Sequence, residues 1–173
     1  WGAYWPIYRG RGFPRRLRPI LKPFVPVWVQ VEPSIRMLLA GNDLVSRIIL
    51  ETGAWEASTW LAIEQHLGRG ATFVDVGAHM GYFSLKAATV VGPSGRVIAI
   101  EPHPEMFRML RGNILASGAT AVAAEPTACS DSESTLELFS AAAANTGTSS
   151  LSQKNASLYG EGGASYFVAA RQL

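Results

Sequence analysis

Hydrophobic and polar positions follow two successive patterns along the chain. Through "GNDLVSRIIL" (41–50), the apolar Leu44, Val45, Ile48 and Ile49 fall at i, i+1, i+4 and i+5, one face of a helix that Asn42 or Asp43 can cap. A second helix is predicted from about Trp55 to Leu67, with Trp60, Ile63 and Leu67 at helical spacing and Gly68 and Gly70 as its stop. Beyond residue 70, short apolar runs alternate with longer amphipathic ones. "ATFVDV" (71–76) has the composition of a parallel strand buried on both faces, and a helix follows from about Gly81 to Val91. "GPSG" (92–95) turns the chain into the strand "RVIAI" (96–100), which "EPHP" breaks. Residues 104–117 form a helix with Met106, Leu110 and Ile114 one turn apart; "TAVAAEP" (120–126) is a third strand and "STLELF" (134–139) a short fourth. Strands separated by about ten to fifteen helical residues imply βαβ units with right-handed crossovers, so the class is α/β with a mainly parallel sheet.

Two stretches carry neither period. Residues 1–33 contain Pro6, Pro14, Pro19, Pro23, Pro26 and Pro33, each of which removes a backbone donor, and an extended arm is expected there. Residues 141–164, "AAAANTGTSSLSQKNASLYGEGGA", are small, polar and aperiodic, as in a mobile loop. "YFVAARQL" at the C-terminus reads as the end of a strand with nothing after it, so a truncated domain is expected. The chain thus divides into a Pro/Trp-rich arm (1–33), a helical lead-in (34–70) and an α/β unit (71–173).

Composition narrows the class of function. With 173 residues and 48% hydrophobic content, one domain with a real core is expected. Six of the fifteen basic residues precede the first acid, Glu32, leaving nine basic against thirteen acidic residues (net −4) in the body. Such an arm suits contact with an anionic surface, or a solvated arm leaning on its own domain. The single cysteine, Cys129, excludes an internal disulfide and a cysteine-based zinc site, and no HExxH pair occurs. No run of about 18 apolar residues is present, so a soluble, cytoplasmic protein is expected, without a transmembrane segment and without a metal.

The glycine turn in "FVDVGAHMGYFS" (73–84) points to a nucleotide-type ligand, since open α/β sheets bind ligands beyond the carboxyl ends of their strands. A dinucleotide fingerprint wants G-x-G-x-x-G; here position 79 is histidine and the spacing is G-x-x-x-G. Asp75 opens the loop, where a pyrophosphate disfavours an acid and an ammonium group favours one. Glu101, at the end of the next strand, suits the hydroxyls of a ribose. Glu101 suits either cofactor class, and Asp75 is the discriminator that favours S-adenosylmethionine over NAD.

On these residues the stretch "FVDVGAHMGYFSLKAATVVGPSGRVIAIEPHPEMFRMLRGNI" resembles the cofactor-binding half of FkbM-like S-adenosylmethionine-dependent methyltransferases, with "ETGAWEASTW" upstream and "TACSD" and "NTGTSSL" downstream. The resemblance covers about residues 42–173 and implies a Rossmann-like class I methyltransferase fold, a three-layer αβα arrangement. It implies that Asp75, Gly77, Ala78, His79 and Gly81 surround the methionine part of the cofactor. Glu101 and Pro102 would lie at the ribose, Cys129 and Ser130 at the adenine, and Glu56 over the site. Such enzymes mostly methylate hydroxyls of small molecules, sugars or glycolipids. The family's next strand, roughly I-D-V-E-G-A-E, is absent here, so a cofactor-binding remnant acting as an interaction module is the alternative, and an NAD-dependent oxidoreductase a third. No catalytic base is assignable. Trp55 and Trp60 read as core or lid packing, Tyr82 and Phe83 as packing, Cys129 as a small buried residue, and His103 as shaping the adenine edge or facing solvent. Ser149 and Ser150 fit a substrate-gating loop.

Overall fold

The computed structural model describes residues 26–40, 43–141, 146–157 and 163–172. The basic part of the arm (1–25) and Asn42 lie outside the described residues.

Residues 26–40 hold a hairpin where an extended arm and a helical lead-in were expected. β1 (Val27–Glu32) pairs antiparallel with β2 (Ile35–Leu39) around a turn at Pro33 and Ser34. Pro26 and Pro33 flank β1 rather than interrupt it, which a strand tolerates. The hairpin buries Ile35, Met37 and Leu39 in a cluster with Val45, Ile49, Met80 and Leu85.

α1 (Leu44–Thr52) starts at Asp43, whose carboxylate accepts from the Ser46 N–H, and α2 (Ala57–His66) follows. Then β3 (Thr72–Val76), α3 (Tyr82–Val91), β4 (Arg96–Ile100), α4 (Pro104–Ala116) and β5 (Val122–Glu125) alternate within a residue or two of the expected bounds. The sheet order is β3-β4-β5, all parallel, with Asp75 opposite Ala99 and Val76 opposite Ile100.

Because each crossover is right-handed and each strand is added on the same side, both helices fall on one face of the sheet. Val97 packs against Ala87 and Val91 of α3, and Ala99 against Leu110 of α4. The opposite face has no such cover among the described residues, and Val74 and Val76 are 44% and 54% exposed. β3 is therefore not buried on both faces as its composition suggested.

α4 also carries the hairpin. Asn113 accepts from the Leu38 N–H at 2.6 Å and donates to the Met80 carbonyl at 2.9 Å, while Ser117 accepts from the Arg36 N–H at 3.0 Å and donates to its carbonyl at 2.9 Å. Two side chains one turn apart thus serve the edge of β2 as a neighbouring strand would. Lys86 of α3 pairs with Glu32 and sits over the Trp60 ring, 4.7 Å from its centroid.

The strand expected at 134–139 is present as β7 (Ser134–Phe139) but belongs to a separate sheet with β6 (Ala128–Cys129) and β8 (Ser165–Arg171), in the order β6-β8-β7. β7 runs antiparallel to β8. The stretch read as a loop contains a 3₁₀ turn (Thr146–Thr148) and the short α5 (Gln153–Ala156), and Ser150 bridges to Phe139. Its polar composition hid these elements because they are held by hydrogen bonds rather than by an apolar face.

Candidate functional site

A cavity of about 310 Å³ opens at the carboxyl ends of β3 and β4. The turn that follows β3 is fixed to β4: the N–H groups of Gly77 and Ala78 both donate to the Ile100 carbonyl, at 2.9 and 3.0 Å. Gly77, His79 and Gly81 have φ of +78°, +53° and +92°, so the backbone winds tightly into α3. At Gly81 a Cβ would stand 2.6 Å from Leu110 Cδ1, and only glycine permits both that conformation and that approach.

Two carboxylates face this cavity, Glu101 buried and Asp75 half-buried. Asp75 accepts from the Ser84 hydroxyl at 2.5 Å through Oδ2. Burial pushes its pKa up, and the bonds from Ser84 only partly oppose this. Glu101 accepts from two backbone groups, the His79 N–H through Oε2 and the His103 N–H through Oε1, each at 2.7 Å. Burial raises its pKa too; the two N–H bonds pull down and the charge of Asp75 pushes up again. Neither carboxylate has an ion-pair partner among the described residues.

Such a site welcomes cationic groups and hydroxyl donors and disfavours anions. An adenosyl amino acid offers an ammonium and a ribose diol, groups that suit two carboxylates, and each Glu101 oxygen keeps a lone pair beside its single N–H. The cavity volume also lies in the range of small-molecule sites, roughly 300–1,000 Å³.

Of the residues singled out from sequence, Asp75, Gly77, Ala78, His79, Glu101, Pro102 and Glu56 line the cavity. Gly81 stands behind it as the N-cap of α3. Cys129 and Ser130 do not line it; Cys129 pairs with Arg171 within β6 and the Ser130 N–H donates to the Arg171 carbonyl at 2.9 Å. Cys129 is half-buried rather than buried. Trp55, Tyr82 and Phe83 form part of the cavity wall, while Trp60 is buried and stacked on Phe83.

Glu56 and His79 are the non-glycine residues with positive φ among those described, at +41° and +53°, and both border the cavity. Backbone strain of this kind collects at binding sites. Glu56 is exposed and accepts from the Thr59 hydroxyl at 3.0 Å. His103 is buried and caps α4, its Nδ1 accepting from the Glu105 N–H at 3.3 Å and its Nε2 meeting Ser140 Oγ at 3.0 Å.

Thr146, Gly147 and Ser149 cover the cavity from the other side. Of these, sequence reasoning missed Thr146, whose hydroxyl meets His79 Nε2 and Asp43 Oδ1, each at 2.7 Å. The signal available was the "NTGTSSL" stretch itself, from which only the serines were singled out. Asp43 was readable as a helix cap but not as a partner of a residue about a hundred positions away. Among the described residues, no cluster of metal-ligating side chains is present and no helix is long and apolar enough to cross a membrane.

Residues 75–172, more than half the chain, match the model of the methyltransferase FkbM domain. Protein-L-isoaspartate O-methyltransferase 1 of Arabidopsis thaliana is 40% identical over 58 residues, 34% of this chain and 25% of that protein. Among solved structures, an S-adenosylmethionine-dependent O-methyltransferase of Thermotoga maritima is 25% identical with a TM-score of 0.38, covering 41% of this chain and 27% of its own. An S-adenosylmethionine-dependent methyltransferase of Aquifex aeolicus is 27% identical with a TM-score of 0.37, covering 47% and 40%. The chain therefore spans only about a quarter to two-fifths of the length of these relatives. With residues 75–172 matched from the first carboxylate through β8, the chain belongs to the FkbM methyltransferase domain family.

Proposed function

We propose that this chain carries the cofactor-binding part of an S-adenosylmethionine-dependent methyltransferase acting on a hydroxyl oxygen of a small molecule, sugar or glycolipid. The observation that carries the reading is the pair of carboxylates, half-buried Asp75 and buried Glu101, on adjacent strand ends across one glycine turn. Asp75 takes the α-ammonium and Glu101 the two ribose hydroxyls, while the backbone of Gly77 and Ala78 borders the methionine part. When bound, the cofactor supplies an electrophilic methyl group on a sulfonium. The chain's own task is to hold that group in line with the acceptor and to exclude water, with Trp55, Tyr82 and Phe83 as apolar wall and residues 146–149 as cover. The oxygen acceptor follows the family resemblance and the O-methyltransferase relatives.

Calorimetric titration with S-adenosylmethionine, S-adenosylhomocysteine and NAD tests the cofactor. Binding of the first two and not of NAD is expected. Binding of NAD alone overturns the assignment. Transfer of a labelled methyl group to a panel of alcohols, sugars and glycolipids, set against amines and thiols, tests the acceptor class, and transfer only to nitrogen or sulfur overturns it.

A further inference from the structure

Thr146 belongs to a small, polar stretch that offers little apolar surface to hold it over a cavity, yet hydrogen bonds fix it there. Its hydroxyl donates to Asp43 Oδ1 at 2.7 Å, and its N–H approaches the same oxygen at 3.3 Å. His79 Nε2 lies 2.7 Å from the hydroxyl oxygen. Counting protons assigns the roles. A carboxylate only accepts, so the one hydroxyl proton of Thr146 points to Asp43; the hydroxyl oxygen then accepts from His79, and Nε2 carries the ring proton. In the neutral ring Nδ1 is left with a lone pair and with no hydrogen-bond partner among the described residues.

Both ends of this chain are anchored. Asp43 is 1% exposed, and its Oδ2 accepts from the Ser46 N–H at 2.9 Å at the start of α1. His79 is held by its own N–H on Glu101. The bonds therefore run from α1 through the covering turn to the glycine loop and the end of β4. Burial holds the His79 pKa below its ordinary value, with Asp43 opposing and His103 assisting, which favours the neutral ring.

We propose that the Asp43–Thr146–His79 chain is a latch that locks His79 in the Nε2–H tautomer and fastens residues 146–149 across the cavity, so that it retards escape of a bound adenosyl ligand. Thr146 and His79 are then positioning residues, and the proposal rests on the reading of the cavity as a cofactor site. It also restricts the chemistry at the ring: with Nε2 committed to Thr146, His79 offers a ligand only an acceptor.

The test compares wild type with Thr146→Val, Thr146→Ser and His79→Asn, asparagine being tolerant of positive φ. Dissociation of S-adenosylhomocysteine is followed by stopped flow, and the histidine tautomers of the ligand-free protein by nitrogen-15 NMR. Thr146→Val, nearly isosteric, is expected to speed dissociation about tenfold, the equivalent of one lost hydrogen bond, and to leave His79 as a mixture of tautomers. His79→Asn is expected to speed dissociation comparably, and Thr146→Ser to restore the wild-type rate and tautomer. Wild-type dissociation and an unchanged tautomer in a folded Thr146→Val variant overturn the latch. Failure of wild type to bind S-adenosylhomocysteine overturns the cofactor reading instead, and the tautomer in the ligand-free protein still decides whether Thr146 locks His79.

Discussion

Replacing Glu101 with glutamine separates the two tasks of this carboxylate. Each of its oxygens accepts one backbone N–H, from His79 and from His103, at 2.7 Å. Glutamine supplies one oxygen and one amide nitrogen, so in either orientation an NH₂ faces a backbone N–H and one buried donor loses its acceptor. That loss costs about 1–3 kcal/mol. Part of it is offset, because burial disfavours the charge of Glu101 and the substitution removes it. The ligand-free protein should therefore lose only about 1 kcal/mol. Ligand binding has no such offset. Two hydroxyl-to-carboxylate bonds lose their charge, and one loses its acceptor, for a combined loss of about 2–3 kcal/mol, or a 30- to 150-fold weaker affinity. Denaturant unfolding of the ligand-free protein and calorimetric titration with S-adenosylhomocysteine measure the two effects side by side. An affinity within about threefold of wild type, with stability lowered as expected, refutes the assignment of Glu101 to the ribose.

Gly81→Ala places a methyl 2.6 Å from Leu110 Cδ1 at φ +92°, and urea unfolding should register a loss of roughly 1–3 kcal/mol. Asn113→Ala leaves the Leu38 N–H and the Met80 carbonyl without partners, so stability should fall by about 2 kcal/mol and hydrogen exchange at Leu38 should accelerate. The raised pKa values of Asp75 and Glu101 set a pH dependence of definite sign. Their contribution to ligand-free stability is complete below the unfolded carboxylate values and is lost as pH rises through the folded ones. The ligand needs the ionised forms, so the thermal shift given by S-adenosylhomocysteine should grow over the same rise in pH. A shift independent of pH across that window contradicts the two-carboxylate site.

The alternating unit from β3 to β5 was legible because its elements rest on local signals: β-branched runs, helical spacing and glycine stops. The same signals named Asp75 and Glu101, since a strand end followed by a glycine turn brings its side chains to a predictable place. What the sequence concealed depends on partners far along the chain. The hairpin at 27–39 hid between prolines that flank its first strand, and it is held by Asn113 and Ser117, some eighty residues away. The exposure of Val74 and Val76 follows from the direction in which strands are added, which no local pattern records. Thr146 is ordinary in its own stretch and acquires a role only when Asp43 and His79 are brought to it.

The central claim is a division of labour, with Asp75 on the ammonium and Glu101 on the ribose. Adenosine keeps the ribose and lacks the amino acid, so its affinity and that of S-adenosylhomocysteine, measured for wild type, Asp75→Asn and Glu101→Gln, test that division directly. Asp75→Asn should weaken S-adenosylhomocysteine and leave adenosine within about twofold of wild type, whereas Glu101→Gln should weaken both. Equal weakening of the two ligands by Asp75→Asn, or no effect of Glu101→Gln on either, contradicts the account.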